Sequence, residues 1–113
     1  MSRRADIRVT ESIATHWSGA GTNYIVQTTD GTLYMVYIDS LSDVSFRKSS
    51  DGGLTWGAAV LAAAAGTTTR LAVWYDRWSG LNSDYICFAF DDSANDDIMF
   101  RTINTASSDA LST

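Results

Sequence analysis

The chain has 113 residues, of which 45% are hydrophobic, 12% aromatic and only 19% charged, with a formal charge of −5. That balance excludes a disordered segment and fits a folded, β-rich body of about one domain. The eight Lys and Arg are scattered without a basic stripe, so a phosphate backbone has no footprint here and nucleic acid is not an expected partner.

Along the chain, period-2 alternation of β-branched and aromatic residues recurs between clusters of Gly, Asn, Asp, Ser and Thr, which predicts strands. The first is Asp6-Ile7-Arg8-Val9-Thr10. It follows two arginines without the apolar run of a signal peptide, and no stretch has the length needed to cross a bilayer. Thr15-His16-Trp17-Ser18-Gly19 then reads as a loop. A hairpin is expected over residues 23–28 and 32–38, because Thr29-Asp30-Gly31 supplies the positive φ of a tight turn. A third strand over residues 43–49 and a fourth from Trp56 to about Ala62 complete a four-stranded meander. Helix is the alternative for the Ala-rich stretch 56–65.

The second half repeats the theme with strands over residues 70–75, 84–90 and 97–103. Asp43-Val44-Ser45-Phe46-Arg47 lines up with Asp97-Ile98-Met99-Phe100-Arg101, and Asp39-Ser40 with Asp92-Ser93. A repeat of a little over fifty residues with four strands per unit is a propeller signature. The expected class is therefore all-β, with β-propeller blades built as antiparallel meanders. Residues 22–63 form the first blade and 69–113 the second, which runs out without an evident fourth strand. Residues 1–12 hold a spare strand that could complete the last blade and remove an open edge. Two blades cannot close a ring, so either copies of the chain oligomerise, three copies giving a six-bladed ring, or the chain belongs to a longer propeller. Cys87, in the apolar run of the sixth strand, reads as a buried, inert thiol. With no second Cys there is no internal disulfide, which fits a reducing compartment or a virion assembled in one and does not exclude export. Localisation stays open.

Ser49-Ser50-Asp51-Gly52-Gly53-Leu54-Thr55-Trp56 joins the third and fourth strands. Asp51 can accept from nearby backbone N–H groups, Gly52 and Gly53 allow turn geometry closed to other residues, and the Trp56 ring can tuck under the loop. The stretch matches the Asp-box, Ser/Thr-x-Asp-x-Gly-x-Thr-Trp, at every defined position, and through it the chain resembles the sialidases and other bacterial-neuraminidase-repeat propellers. The resemblance covers the box tightly and the rest only through blade-like spacing; the matching stretch of the second unit, 103–110, lacks the Asp, the glycines and the Trp. It implies boxes on the blade periphery, so Ser49, Asp51, Gly53, Thr55 and Trp56 read as structural. It also implies that sialidase chemistry needs an arginine triad, a Tyr nucleophile with a Glu partner and an acid/base Asp from most blades of a ring. This chain has one Glu, Glu11, and no Pro for the family's Arg-Ile-Pro element, so no catalytic residue is expected. A ring could repeat Arg8, Arg47, Arg70 or Arg101 about its axis, but the matched Arg47 and Arg101 read more simply as exposed sheet residues.

Propeller topology gathers the loops before each first strand and those between second and third strands on one face. That face would carry His16 and Trp17, as a sugar-stacking platform or a plug between blades, with Asp39 and Asp43 from one turn and Asp92 and Asn95 from the other. The acidic run Asp91-Asp92-Ser93-Ala94-Asn95-Asp96-Asp97 could coordinate Ca²⁺ or be a solvated turn; no other cofactor is expected. Trp78, in a long loop on the opposite face, marks a contact surface. Three functions are consistent with these features: a non-catalytic module binding a glycan or another polar ligand, a structural or assembly protein such as a virion or surface component, and a sialidase-like glycosidase or a fragment of one.

Overall fold

Among the described residues, the alternating stretches from residue 25 onward are extended, and short polar side chains hold several of the reversals between them. The computed structural model describes residues 6–10, 13, 24–76 and 84–112. Its strands are β1 (Ile25–Gln27), β2 (Leu33–Ile38), β3 (Val44–Ser49), β4 (Val60–Ala63), β5 (Leu71–Asp76), β6 (Tyr85–Asp92), β7 (Asp97–Asn104) and β8 (Ala110–Leu111). They form two four-stranded antiparallel sheets, β1-β2-β3-β4 and β5-β6-β7-β8, so the chain is all-β and consists of two consecutive meanders. Phe46 pairs with Val36 in the first sheet and Phe100 with Ala89 in the second, the register that the sequence repeat requires.

The β1–β2 turn closes because Gly31 takes φ 91° and donates its N–H to the Thr28 carbonyl at 2.9 Å. Asp30 accepts there from the Thr28 hydroxyl at 2.5 Å and from Thr32 N–H at 3.1 Å. At the β2–β3 turn the Asp39 carboxylate accepts from Leu41 N–H, Asp43 N–H and the Ser45 hydroxyl. The β6–β7 turn, residues 93–96, places Asp96 at φ 57°.

Alternation sorts each sheet into two faces. Tyr34, Val36, Ile38, Val44 and Phe46 share a core with Leu71, Val73, Ile86, Phe88, Phe90 and Ile103 of the second sheet. Each such buried side chain contributes about 1.5–3 kcal/mol by removal from water. The far face of the second sheet has no such cover among the described residues: Phe100 is 63% exposed, whereas Phe46 at the matching position is 0% exposed. Cys87 lies on that far face, buried, with its thiol pKa pushed up by burial and then by Asp76.

Four features depart from the sequence reading. β4 starts at Val60 rather than Trp56, and the helix alternative is not taken: Gly57 N–H already pairs with the Lys48 carbonyl at 2.8 Å, extending the sheet. The second unit does have a fourth strand, the two-residue β8, pairing Ile103 with Leu111 and Asn104 with Ala110. It is too short to show alternation and is positioned by a 3-10 turn, Thr105–Ser107, capped by the Asn104 side chain and followed by Ser108 and Asp109 at φ 55° and 61°. Arg47 and Arg101 are half-buried rather than simply exposed. Arg101 Nη1 donates to the Ala62 carbonyl at 2.9 Å, and Arg47 Nη1 to the Val9 carbonyl at 3.0 Å. Residues 6–10, finally, are not paired as a strand in this structure.

Candidate functional site

Candidate side chains gather at the two ends of the sheets. At one end stand the β2–β3 and β6–β7 turns with Asp39, Asp43, Asp92 and Asn95. The linker between the sheets ties these turns together. Gly66 N–H donates to Asp43 at 2.8 Å, Thr68 N–H to the Ser42 carbonyl at 3.0 Å, and the Thr67 hydroxyl to Asp92 at 3.0 Å. Asn95 donates its amide to the other Asp92 oxygen at 2.8 Å. Asp91 accepts from Thr69 N–H, the Thr69 hydroxyl and Arg70 N–H.

These carboxylates are therefore engaged in holding backbone. Asn95 first and Thr67 second lower the Asp92 pKa; at Asp91, burial pulls upward but the Thr69 and Arg70 donors prevail and lower it. Among the described residues no group of three or more His, Cys, Asp or Glu side chains is arranged to hold a metal ion. His16 and Trp17 lie outside the described residues, as do Glu11 and Trp78.

The 49–56 loop lies at the opposite end. Asp51 accepts from the Ser49 hydroxyl at 2.7 Å, from Thr55 N–H at 2.9 Å and from the Thr55 hydroxyl. Gly53 N–H donates to Ser49 Oγ at 2.9 Å and Trp56 Nε1 to the Gly53 carbonyl at 3.0 Å. Gly52 and Gly53 take φ 76° and 95°, where a side chain would be strained. The Thr55 hydroxyl, then its N–H, then Ser49 hold the Asp51 carboxyl at about 2. The hydrogen bonds of Ser49, Asp51, Gly53, Thr55 and Trp56 close on the loop itself and hold the hairpin.

Beside that loop is a cleft of about 470 Å³ lined by Asp30, Tyr34, Lys48, Ser50, Thr55, Trp56 and Thr105, among others. Tyr34 and Lys48 are cross-strand neighbours. Asp109, from the second sheet, accepts from Tyr34 Oη and from Lys48 Nζ, both at 2.6 Å. Lys48 also lies 5.9 Å from the centre of the Tyr34 ring. Burial, and then Asp109, push the Tyr34 hydroxyl pKa well up, so the phenol keeps its proton and donates. The sequence reading missed this group. The Tyr34–Lys48 pairing follows from the hairpin register, but Asp109 reaches it from 75 residues away, which no local pattern signals.

These sheets and this cleft define an all-β protein of paired antiparallel meanders. No protein-family model matches the chain and no curated protein matches it by sequence. Among solved structures it is similar to a polysaccharide lyase of family PL25, an ulvan lyase bound to -[GlcA(1-4)Rha3S]-, with 18% identity and a TM-score of 0.51. The match covers 78% of this chain and 24% of the lyase chain. At that identity the likeness is one of β-fold, in a protein that acts on glycans.

Proposed function

We propose that the chain is a non-catalytic carbohydrate-binding module built of two propeller-type blades, with a neutral glycan as ligand. The observation that carries this reading is the cleft beside Trp56. A sugar presents hydroxyls that donate and accept, together with an apolar ring face, and here polar side chains surround the half-buried ring of Trp56. Lys48 can donate, Asp30 can accept, the Ser50 hydroxyl can do either, and the Thr55 hydroxyl, which donates to Asp51, can accept. A formal charge of −5 and the pairing of Lys48 with Asp109 leave no excess positive charge for an acidic sugar. The likeness to a glycan-bound lyase supports the reading only at the level of fold.

The test is a glycan array probed with the soluble chain. Retention of neutral oligosaccharides is expected, abolished by Ser50→Arg, which fills the cleft from an exposed position without touching the Asp51 hydrogen bonds. Loss on Trp17→Ala with retention on Ser50→Arg would move the site to the loop around His16 and Trp17. No retention of any neutral glycan would refute the reading.

A second reading, a self-assembling structural unit, is favoured by the uncovered apolar face of the second sheet around Phe100.

A further inference from the structure

We propose that the carbohydrate site is extended: a linear neutral oligosaccharide seated beside Trp56 continues across the β1–β2 turn into a second cleft beside Tyr75. The ligand is then a run of sugar residues along a polymer rather than a single terminal sugar. The proposal rests on the carbohydrate reading and adds to it a second subsite and a form of ligand.

The second cleft has about 580 Å³ and is lined by Val26, Gln27, Thr28, Thr29, Gly31 and Tyr75. Like the first, of about 470 Å³, it falls within the ~300–1,000 Å³ of small-molecule sites. The two clefts offer the same kinds of contact. Tyr75, half-buried, supplies the aromatic residue that Trp56 supplies in the first, and groups suited to sugar hydroxyls stand beside it. The Gln27 amide, held loosely to the Gly31 carbonyl at 3.4 Å, can donate and accept. The Thr28 and Thr29 hydroxyls, which donate to Asp30 and Asp84, can accept. Among the described residues, none of those lining this cleft is charged, which suits a neutral ligand.

One turn separates the clefts. Thr28, Thr29 and Gly31 line the second, and Asp30 and Thr32 line the first. Gly31 N–H closes the turn on the Thr28 carbonyl, and Asp30 accepts from Thr28 and Thr32. The second sheet braces it. The Asp84 carboxylate accepts from the Thr29 hydroxyl at 2.6 Å, and the Asp84 carbonyl accepts at 3.0 Å from Thr105, which lines the first cleft. Tyr75 Oη accepts from Thr29 N–H at 3.0 Å. The dividing wall is low at Gly31, where a Cβ would meet no atom within 4 Å. Its φ of 91° reserves that position for glycine, so bare backbone lies where the sugar chain would cross. Both subsites are held by hydrogen bonds before a ligand arrives, and an oligosaccharide long enough to reach both makes its second contact intramolecularly.

The experiment is calorimetric titration of the chain with cello-, xylo-, manno-, malto- and galacto-oligosaccharide ladders, from disaccharide to hexasaccharide. In a ladder that binds, affinity is expected to rise about a hundredfold once the oligosaccharide reaches the second cleft. Gln27→Arg, at an exposed position, should flatten that dependence on length, whereas Ser50→Arg should weaken every member, the shortest included. An affinity that does not grow with length, or growth that survives Gln27→Arg, overturns the second subsite and leaves the carbohydrate reading standing. Failure of every ladder overturns both. Amide-shift mapping of the wild-type chain gives a readout free of substitutions. The hexasaccharide is expected to move the signals of Gln27, Gly31 and Tyr75 together with those of Ser50 and Trp56. A hexasaccharide that moves only Ser50 and Trp56 overturns the proposal.

Discussion

Asp51 is exposed to solvent yet gathers three donors from Ser49 and Thr55. Its carboxyl is held at about 2 against an ordinary 3.8. A depressed folded value means that this group stabilises the folded chain above its unfolded pKa, and that the contribution fades as pH falls from about 4 towards 2. Replacing it by Asn keeps an acceptor for Thr55 but removes the charge. Asp51→Asn is expected to lower the melting temperature at pH 7 and to lose less of what remains between pH 4 and pH 2 than the wild type does. Parallel stability curves for the two proteins across that window, followed by circular dichroism, would contradict this account.

At the scale of elements, the two third strands carry the same Phe in the same register with opposite burial. Phe46→Ala opens a cavity in the shared core and is expected to cost about 3–5 kcal/mol in urea unfolding. Phe100→Ala, assayed under conditions that keep the chain monomeric, should change stability by less than about 0.5 kcal/mol. Equal losses at the two positions would mean that the outer face of the second sheet is covered within a single chain. The elements legible in sequence were those whose turn chemistry is local. The β1–β2 hairpin was visible in Asp30-Gly31, β3 in its alternation, and the second meander in the repeat of Val44-Ser45-Phe46-Arg47 as Ile98-Met99-Phe100-Arg101. β8 was not visible, because two residues carry no period and the turn before it depends on Ser108 and Asp109 adopting positive φ. Trp56 read as the start of the fourth strand, which begins only at Val60, while its ring serves the loop as the motif implied, with the indole N–H fixed to Gly53.

For the whole molecule, the decisive bonds are those between sheets. Asp109 is shared by Tyr34 and Lys48, and Thr29 reaches the Tyr75 hydroxyl and the Asp84 carboxylate. Tyr34→Phe removes the donor at one of these links while leaving the ring in the core. A loss of about 1–2 kcal/mol is expected from a part-buried hydrogen bond to a carboxylate that keeps Lys48 as partner. An unchanged urea midpoint would show that the link is incidental. Such links lie beyond sequence reading, since they need the relative placement of two sheets that are each defined locally. For the same reason the polar turn residues Asp39, Asp43, Asp92 and Asn95 could be placed at one end from the repeat, while the cleft at the other end could not be foreseen.

The turns also account for the acidity of the chain. Asp30, Asp39, Asp43, Asp51, Asp91 and Asp92 each accept from backbone N–H groups or neighbouring side chains, and four of them, Asp30, Asp51, Asp91 and Asp92, are held below the usual carboxylate range. Much of the acidic excess thus serves how the polypeptide rounds its corners. Because these four carboxyls sit lower in the folded chain than in the unfolded one, each lends stability that is lost as pH falls through its lowered value, and acid unfolding takes up protons at the turns themselves.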